Sequence, residues 1–480
     1  MADRISYYKV RYSGGIKRLS LISIALACLL MFGHVGGGLS HLCLAQSVSL
    51  THGPVVGAVT DNSARVFVRT DNEAEVRIRY STEPDLSDYQ ESSVSTTGDV
   101  HDFTTRISLY SLDPSTTYYL DVLVNDQSQL ESPYPRFKTF PPRGVATPFK
   151  FVVLTDFKSA DSGNVPNVST FQNASNEQPD LVYIGGDFDH RDPTTLAEKR
   201  QMFKDLYTPA NNYEDFVFEI LRKYAVVHNW DDHDYGADNG DKTYAHKARS
   251  LRVFEEYFPA YSVTDYGVWQ NFSFGHADFF LLDSRSQRDP STDPQSPDKS
   301  MLDGDNLGTD GQLRWLQRRL RSSTATWKFI LTPVVFNPTN PVMDSWYGYL
   351  DERDLIVNFI KDNNMEGVIL ISGDRHAGAI DNGMNSDFPE MLVPAANMNG
   401  CASSTPSGGD VPLGTWSEGT YGGDIPPPPL CRGYGVVTVL TNPDRVILEV
   451  KDEYGAVEVS YTMTLSPPGS IYLPIILANP

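Results

Sequence analysis

The chain has 480 residues, enough for two or three domains, and its 40% hydrophobic and 21% charged content is typical of a globular protein. It carries 61 acidic and 39 basic side chains, a net charge of −22. Because a polyanion-binding surface needs clustered Lys and Arg, this balance disfavours nucleic-acid binding and favours cations as ligands.

Residues 1–45 have the order of a secretory signal peptide. Basic residues end at Lys17–Arg18, an uncharged run extends from Leu19 to Phe32, and Cys43-Leu44-Ala45 stands where a small-residue cleavage site would. The apolar run is short for a membrane span. We therefore expect cleavage after Ala45, no membrane span in the rest of the chain, and a secreted, extracytoplasmic protein. An uncleaved membrane anchor is the alternative.

Residues 47–142 are predicted to form an all-β domain. Residues 64–69 and 76–80 alternate between polar and apolar side chains, and 117–124 is a Tyr-bearing strand that follows a turn. This pattern resembles a fibronectin-III-like sandwich. A Pro/Gly segment, residues 141–144, has the composition of a linker.

Residues 146–465 are predicted to form an α/β domain, followed by a C-terminal tail, 466–480. Short apolar runs, typical of strands buried on both faces, alternate with helical periodicity at 243–258, 312–320 and 352–360. Three further strands are predicted at residues 435–440, 446–450 and 457–465.

Cys401 and Cys431 lie in the predicted catalytic part of the chain, separated by a Pro/Gly/Ser-rich stretch without the CxxC spacing of zinc or redox sites. In an oxidising compartment the two could form a disulfide. Two unpaired small residues are the alternative.

Four apolar strands deliver acidic residues or histidines to their C-terminal ends. They are 149–155, followed by Asp156; 181–186, followed by Asp187 and His190; 224–227, leading into Asp231-Asp232-His233-Asp234; and 367–373, followed by Asp374 and His376. Ligands of open α/β sheets bind beyond these ends. Carboxylates gathered there would repel one another, and metal cations remove that penalty. Two cations would also suit in-line displacement at phosphorus.

Each of these residues has a plainer interpretation when it is taken alone. Asp156 could cap a helix, Asp187 could belong to a turn, and His376 could be a hydrogen-bonded core histidine. The acidic residues 231–234 could form a solvated loop. The recurrence of the arrangement at four strand ends favours the metal site.

Three motifs at these positions resemble those of the PhoD-like phosphatases, within the calcineurin-like metallophosphoesterases. They are residues 230–236 (WDDHDYG), 372–376 (SGDRH) and 280–286 (FLLDSRS). The resemblance extends over about residues 50–465. It implies an α/β (α+β) fold, a four-layer αββα metallophosphoesterase sandwich preceded by the family's N-terminal β domain.

The resemblance also implies a role for each site residue. Asp156, His190 and His376 would bind a first metal, and Asp187 would bridge two metals. Asp232 and Asp374 would bind the second metal.

His233 would stand near the leaving group or a phosphoryl oxygen. Arg375 and Arg285 are candidates for phosphate contacts, with a structural role as the alternative for Arg285.

Two positions depart from the family pattern. The family's alkaline phosphatases have Cys where Asp156 stands and Tyr where His190 stands. The resemblance implies Ca²⁺ and Fe³⁺, whereas Asp and His also suit Mn²⁺ or Zn²⁺.

The expected function is hydrolysis of phosphate esters, as a phosphomonoesterase or phosphodiesterase, by direct attack of metal-bound hydroxide on phosphorus. We expect two or more metal ions and a monomeric protein. A phosphatase that uses Ser284 as its nucleophile is one alternative. A non-catalytic secreted binding protein with a vestigial metal site is another.

Overall fold

The apolar runs of the sequence pair into large β-sheets in the computed structural model, which describes residues 47–160, 165–304, 307–308, 311–398, 415–422 and 431–465. The predicted signal peptide, Cys401 and the predicted tail 466–480 lie outside the described residues. The described residues from 48 to 465 form one compact unit. No helix within the described ranges is both long enough and apolar enough to span a membrane.

The strands are numbered in chain order. They are β1 (Leu50–Gly57), β2 (Ser63–Thr70), β3 (Glu75–Ser81), β4 (Gln90–Glu91), β5 (Ser95–Thr96), β6 (Thr104–Tyr110), β7 (Thr117–Val124), β8 (Gln127–Ser128), β9 (Arg136–Lys138), β10 (Phe149–Leu154), β11 (Leu181–Ile184), β12 (Ala225–His228), β13 (Gln270–Phe274), β14 (Ala277–Leu281), β15 (Trp327–Leu331), β16 (Val368–Ser372), β17 (Gly378–Asn382), β18 (Pro389–Leu392), β19 (Gly419–Tyr421), β20 (Gly433–Thr441), β21 (Asp444–Asp452) and β22 (Val457–Thr464).

The α-helices are α1 (Thr170–Asn176), α2 (Leu196–Leu206), α3 (Asp232–Tyr235), α4 (Lys247–Tyr257), α5 (Gln312–Ser322) and α6 (Leu350–Asp362). A π-helix covers Phe216–Leu221, and short 3₁₀ turns cover Asp99–His101 and Trp346–Tyr349. Helix α4 begins later than the periodicity predicts, at Lys247 rather than Thr243. The reason is local, since the Asp241 carboxylate accepts hydrogen bonds from the backbone N–H and hydroxyl of Thr243 and holds a turn there.

Two sheets carry the predicted site. The nine-stranded sheet has the order β22-β21-β20-β10-β11-β12-β1-β2-β6, and the seven-stranded sheet has the order β13-β14-β15-β16-β18-β17-β19. Strands β10, β11 and β12 are parallel neighbours, so their C-terminal ends meet at one edge. A smaller sheet is built on β3 and β7.

Side-chain alternation along the strands defines four layers. Phe151, Phe279 and Phe329 from the two large sheets meet between them, with ring centroids 5.0–5.4 Å apart. The opposite face of the nine-stranded sheet packs on α1, α2, α4 and the π-helix, whereas that of the seven-stranded sheet packs on α5 and α6. The expected αββα sandwich is confirmed, and its buried aromatic centre is the main apolar core.

The nine-stranded sheet crosses the boundary predicted between residues 142 and 146. Strand β1 pairs in parallel with β12 at Gly57 and Val226. A side chain at position 57 would lie 2.5 Å from the Pro259 carbonyl oxygen, so the close approach requires glycine. Arg65 adds a hydrogen bond to the Ala260 carbonyl at 2.6 Å. The division into domains 47–142 and 146–465 stays a prediction.

Candidate metal centre

The predicted site residues follow the C-terminal ends of β10, β11, β12 and β16. Asp156, Asp187, Asp374 and His376 all have a left-handed backbone, with φ between 49° and 73°. This conformation is uncommon for residues other than glycine and is retained mainly where the surrounding structure enforces it, often at functional sites. The strand ends therefore turn sharply and direct these side chains into a common space.

Gly186 brings two of these turns together. Its φ is 111°, and a side chain there would lie 2.5 Å from the backbone nitrogen of Asp231. The Asp234 carboxylate then fixes the turn, because it accepts hydrogen bonds from the backbone N–H groups of Asp187 (2.7 Å), Phe188 (3.0 Å) and Asp231 (3.1 Å). The sequence pattern around Asp234 does not indicate this role.

All six predicted metal-binding residues come together. Potential ligand atoms lie within 4.8 Å of one another in four overlapping groups: Asp156, His190 and His376; Asp187, His190 and His233; Asp232, His233 and Asp238; and Asp187, Asp231, Asp232 and Asp374. The geometry is that of an extended site with Asp187 at its middle.

On one side of Asp187 the donors are mixed oxygen and nitrogen atoms. His376 Nε2 lies 3.3 Å from Asp156 Oδ1, and His190 Nε2 lies 3.9 Å from Asp187 Oδ2. His190 Nδ1 donates a hydrogen bond to the Phe157 carbonyl at 3.0 Å, which leaves Nε2 as a free lone-pair donor.

The atoms on this side fit a cation. His190 Nε2 is buried and has no hydrogen-bond partner among the described residues, and the buried Asp156 Oδ1 faces the His376 imidazole. Burial lowers the pKa of His190 to about 4, which keeps the ring neutral as a ligand requires. A buried polar atom without a partner is costly, and a bound metal ion would satisfy His190 Nε2.

On the other side the donors are carboxylates. Asp187, Asp231, Asp232 and Asp374 converge there, and burial raises the pKa of Asp374 to about 7. Burial together with neighbouring carboxylates also raises the pKa of Asp187. Repulsion within such a group is relieved by a hard divalent or trivalent cation.

Asp231 is a potential ligand that sequence reasoning missed. It lies next to Asp232 in the chain, and the strand pattern of β12 cannot tell which of two adjacent carboxylates faces the site. The Asp-Asp pair was itself the available signal.

Arg285 is a buried counter-charge within the carboxylate group. Its guanidinium is fully buried and contacts Asp231, Asp344 at 3.0 Å, Asp374 at 3.4 Å and Asp232 at 3.6 Å. These contacts favour the structural role for Arg285 over phosphate binding. Asp344 was not recognised from the sequence.

His233 faces His190, with the ring centroids 4.2 Å apart. Its Nδ1 lies 2.7 Å from a carboxylate oxygen of Asp192, another residue missed in the sequence. Burial opposes protonation, but the Asp192 hydrogen bond and the Asp232 charge outweigh it and raise the pKa of His233 to about 9. The imidazole therefore keeps its second proton at neutral pH and lies next to His190.

The two remaining candidates lie in different settings. Arg375 lies beside the carboxylates, with Nη1 3.3 Å from Asp374 Oδ2. Ser284 is fully buried, and within the described structure its hydroxyl has no hydrogen-bond partner. A serine nucleophile needs a base within hydrogen-bond reach, so this setting argues against the serine alternative.

The fold and the arrangement of the site define the class of the protein, a metallophosphoesterase-type αββα sandwich. Residues 165–394 match the family model of the PhoD-like phosphatase, and residues 47–143 match a domain of unknown function (DUF7800). Over these residues the chain is similar to the PhoD-like phosphatases, and the resemblance found in the sequence is confirmed.

Known proteins support this placement. The chain is 24% identical over 347 residues to alkaline phosphatase D of Bacillus subtilis (strain 168), a match that spans 62% of this chain and 57% of that protein. A solved structure of PhoD superposes with a TM-score of 0.70 at 18% identity, over 87% of this chain and 90% of that one.

A purple acid phosphatase from yellow lupin (Lupinus luteus) seeds superposes with a TM-score of 0.58 at 13% identity, over 86% of this chain and 74% of that one. The two structural likenesses show the shared fold.

Proposed function

We propose that the protein is a secreted, metal-dependent hydrolase of phosphoric esters, acting on phosphomonoesters or phosphodiesters. The observation that carries the proposal is the convergence of buried carboxylates and imidazoles at the ends of β10, β11, β12 and β16. The match to the PhoD-like phosphatase family model and the name of the Bacillus subtilis relative support the same reaction class.

Two cations would be held on either side of Asp187. Asp156, His190 and His376 would complete the first position, and Asp232 and Asp374 the second, with Asp231 as an additional donor. When bound, such cations polarise phosphoryl oxygens and supply an activated water for in-line attack.

The chain's own residues divide the remaining work. His233, held through Nδ1 by Asp192, would carry a proton at Nε2 for the departing alkoxide or for a phosphoryl oxygen. Arg375 would contact the phosphate from the edge of the site, where a guanidinium suits a bidentate oxyanion. Arg285 would balance the negative charge of the carboxylates from the protein interior, since its side chain is fully buried.

The donor set leaves several metals chemically suitable. The resemblance implies Fe³⁺ and Ca²⁺, and the oxygen and imidazole donors present here also suit Mn²⁺ and Zn²⁺. Because His190 offers imidazole rather than phenolate, we propose a site without the strong visible band of a tyrosinate–iron centre.

Export is part of the proposal. Cys431 is disulfide-bonded, and such bonds persist mainly in oxidising compartments. The pairing with Cys401 stays a prediction, since Cys401 lies outside the described residues. We propose that the mature protein works as an exported monomer.

Two measurements on one sample test the proposed activity. Elemental analysis of the purified protein should show stoichiometric metal, and the same preparation should hydrolyse a chromogenic phosphate monoester or diester. Chelation should remove both metal and turnover, and turnover should return with added metal. Protein without stoichiometric metal or turnover would support the alternative of a binding protein with a vestigial site.

A further inference from the structure

A second cleft lies at the opposite end of β12 from the candidate metal centre. It has a volume of about 700 Å³. Arg222, which lines it, precedes β12 by three residues, whereas Asp231 and Asp232 follow the other end of that strand. The cleft is therefore separate from the metal centre.

Two arginines without carboxylate partners line this cleft. Neither Arg136 nor Arg222 forms an ion pair among the described residues, and Arg222 Nε is buried without a hydrogen-bond partner. Their backbones are joined, because the backbone N–H of Arg136 donates to the Arg222 carbonyl at 2.8 Å. Burial, with no opposing carboxylate, lowers the pKa of Arg222.

The other charged groups of the cleft do not neutralise these arginines. Glu219 is paired with Lys223, and Glu131 is exposed and forms no ion pair in the described structure. Three cations thus face two carboxylates in the cleft, a local excess of positive charge in a chain whose net charge is −22. Two guanidinium groups without ion-pair partners that line the same cleft favour an anion as ligand.

The walls of the cleft are aromatic. Phe218 is 41% exposed, and the Arg222 guanidinium lies 4.9 Å from the centre of its ring. Tyr134 also lines the cleft, as does Tyr119, the cross-strand neighbour of Arg136. Exposed aromatic faces next to fixed polar groups are the usual composition of small-molecule sites.

Phe218 and its neighbours lie on the π-helix Phe216–Leu221. Such helices are rare and occur frequently at functional sites. We infer that this cleft is a second ligand site, which binds a small organic anion whose ring stacks on Phe218 and whose carboxylate, sulfonate or phosphate group is held by Arg136 and Arg222.

Calorimetric titration of the mature protein with 2-naphthalenesulfonate tests this inference. The sulfonate is neither a phosphate ester nor a strong metal ligand, so the result is independent of the proposed activity. We expect saturable binding of one equivalent. The neutral 2-naphthalenemethanol, which lacks the anion, and inorganic sulfate, which lacks the ring, should each bind at least about tenfold more weakly.

Three variants locate the site. Arg222→Met keeps the apolar stem and removes the charge, and we expect it to weaken binding at least about tenfold. Arg136→Met should do the same with less effect on folding, because the Arg136 side chain is exposed. Arg321→Met is the matched control, since Arg321 is exposed and lies 5.1 Å from the centre of the Phe359 ring outside the cleft.

None of the three substitutions should change phosphoesterase turnover. The inference is overturned if the sulfonate does not bind, if the neutral alcohol binds equally well, or if Arg136→Met and Arg222→Met bind like the Arg321→Met control.

Discussion

Asp192 holds the imidazole of His233 through Nδ1 at 2.7 Å, across 41 residues of sequence. The contact fixes the orientation of the imidazole next to His190, with the two ring centroids 4.2 Å apart. A histidine that must deliver a proton depends on such an orienting carboxylate.

Replacement of Asp192 by Asn should therefore lower kcat at least about tenfold while the bound metal stays unchanged. Turnover of a chromogenic phosphate and elemental analysis of the same sample measure the two effects. Asp126→Asn, at an exposed carboxylate paired with Arg77, serves as control. Unchanged turnover in Asp192→Asn would mean that the hydrogen bond from His233 to Asp192 does not contribute to the reaction.

Asp187 is expected to be essential for both metals, because it lies between the two groups of donors. Asp187→Asn should lose metal and at least about two orders of magnitude in rate, as removal of a main electrostatic element does. The matched control is Asp121→Asn. Asp121 is as buried as Asp187, but it lies on β7, away from the metal centre, and accepts a hydrogen bond from the Leu130 N–H. Full metal content and activity in Asp187→Asn would contradict the two-metal site.

His190→Ala should weaken the first metal more than the second, because Asp232 and Asp374 are untouched. Metal stoichiometry per chain is the measurement. If iron occupies the first position, His190→Tyr should gain a visible charge-transfer band, since phenolate is the electron-rich donor that imidazole is not. Two tightly held ions and unchanged turnover in the Ala variant would remove His190 from the site.

Export should leave a mature chain that begins near Gln46. Cleavage after Ala45 follows from the order of basic, apolar and small residues in the N-terminal segment. The intact mass of secreted material gives the answer directly. A full-length product in the membrane fraction would instead support the alternative that residues 1–45 are an uncleaved membrane anchor.

Glu177 is expected to make folding stability depend on pH. Burial opposes its ionisation, but hydrogen bonds from Lys451 at 2.6 Å and Lys150 at 2.9 Å outweigh that effect and lower its pKa. A carboxyl group with a depressed folded-state pKa stabilises the protein above its unfolded pKa of about 4.3, and the gain is lost as the pH falls through the folded value.

Glu177→Gln should therefore reduce the free energy of unfolding by about 1 kcal/mol at pH 7 and by progressively less below pH 4. Urea unfolding at several pH values measures the difference. The exposed Glu73→Gln should show no such trend. An equal loss at all pH values would assign the effect to packing instead of charge.

The strand-end residues of the site could be predicted from sequence because short apolar runs mark buried parallel strands. Asp156, Asp187 and Asp374 each follow such a run directly, and their convergence needs only the rule that parallel strands end at one edge. The layered fold followed from the same runs together with three helical periodicities.

The remaining partners could not be predicted, because they depend on contacts between distant loops. Nothing in the sequence near Asp192 indicates that its carboxylate contacts His233. Nothing in the motif around Arg285 indicates that its guanidinium is buried among four carboxylates. The pairing of β1 with β12 was missed for a related reason, since one residue pair, Gly57 and Val226, joins segments that pattern analysis treats as independent.

That pairing has a consequence for how the protein unfolds. Without residues 47–142, β12 would become an edge strand whose backbone N–H and C=O groups lack partners on one side, a template for intermolecular aggregation. A truncated chain beginning at residue 146 should therefore aggregate. The intact protein should melt in one cooperative transition, because its N-terminal strands cover the edge of the nine-stranded sheet.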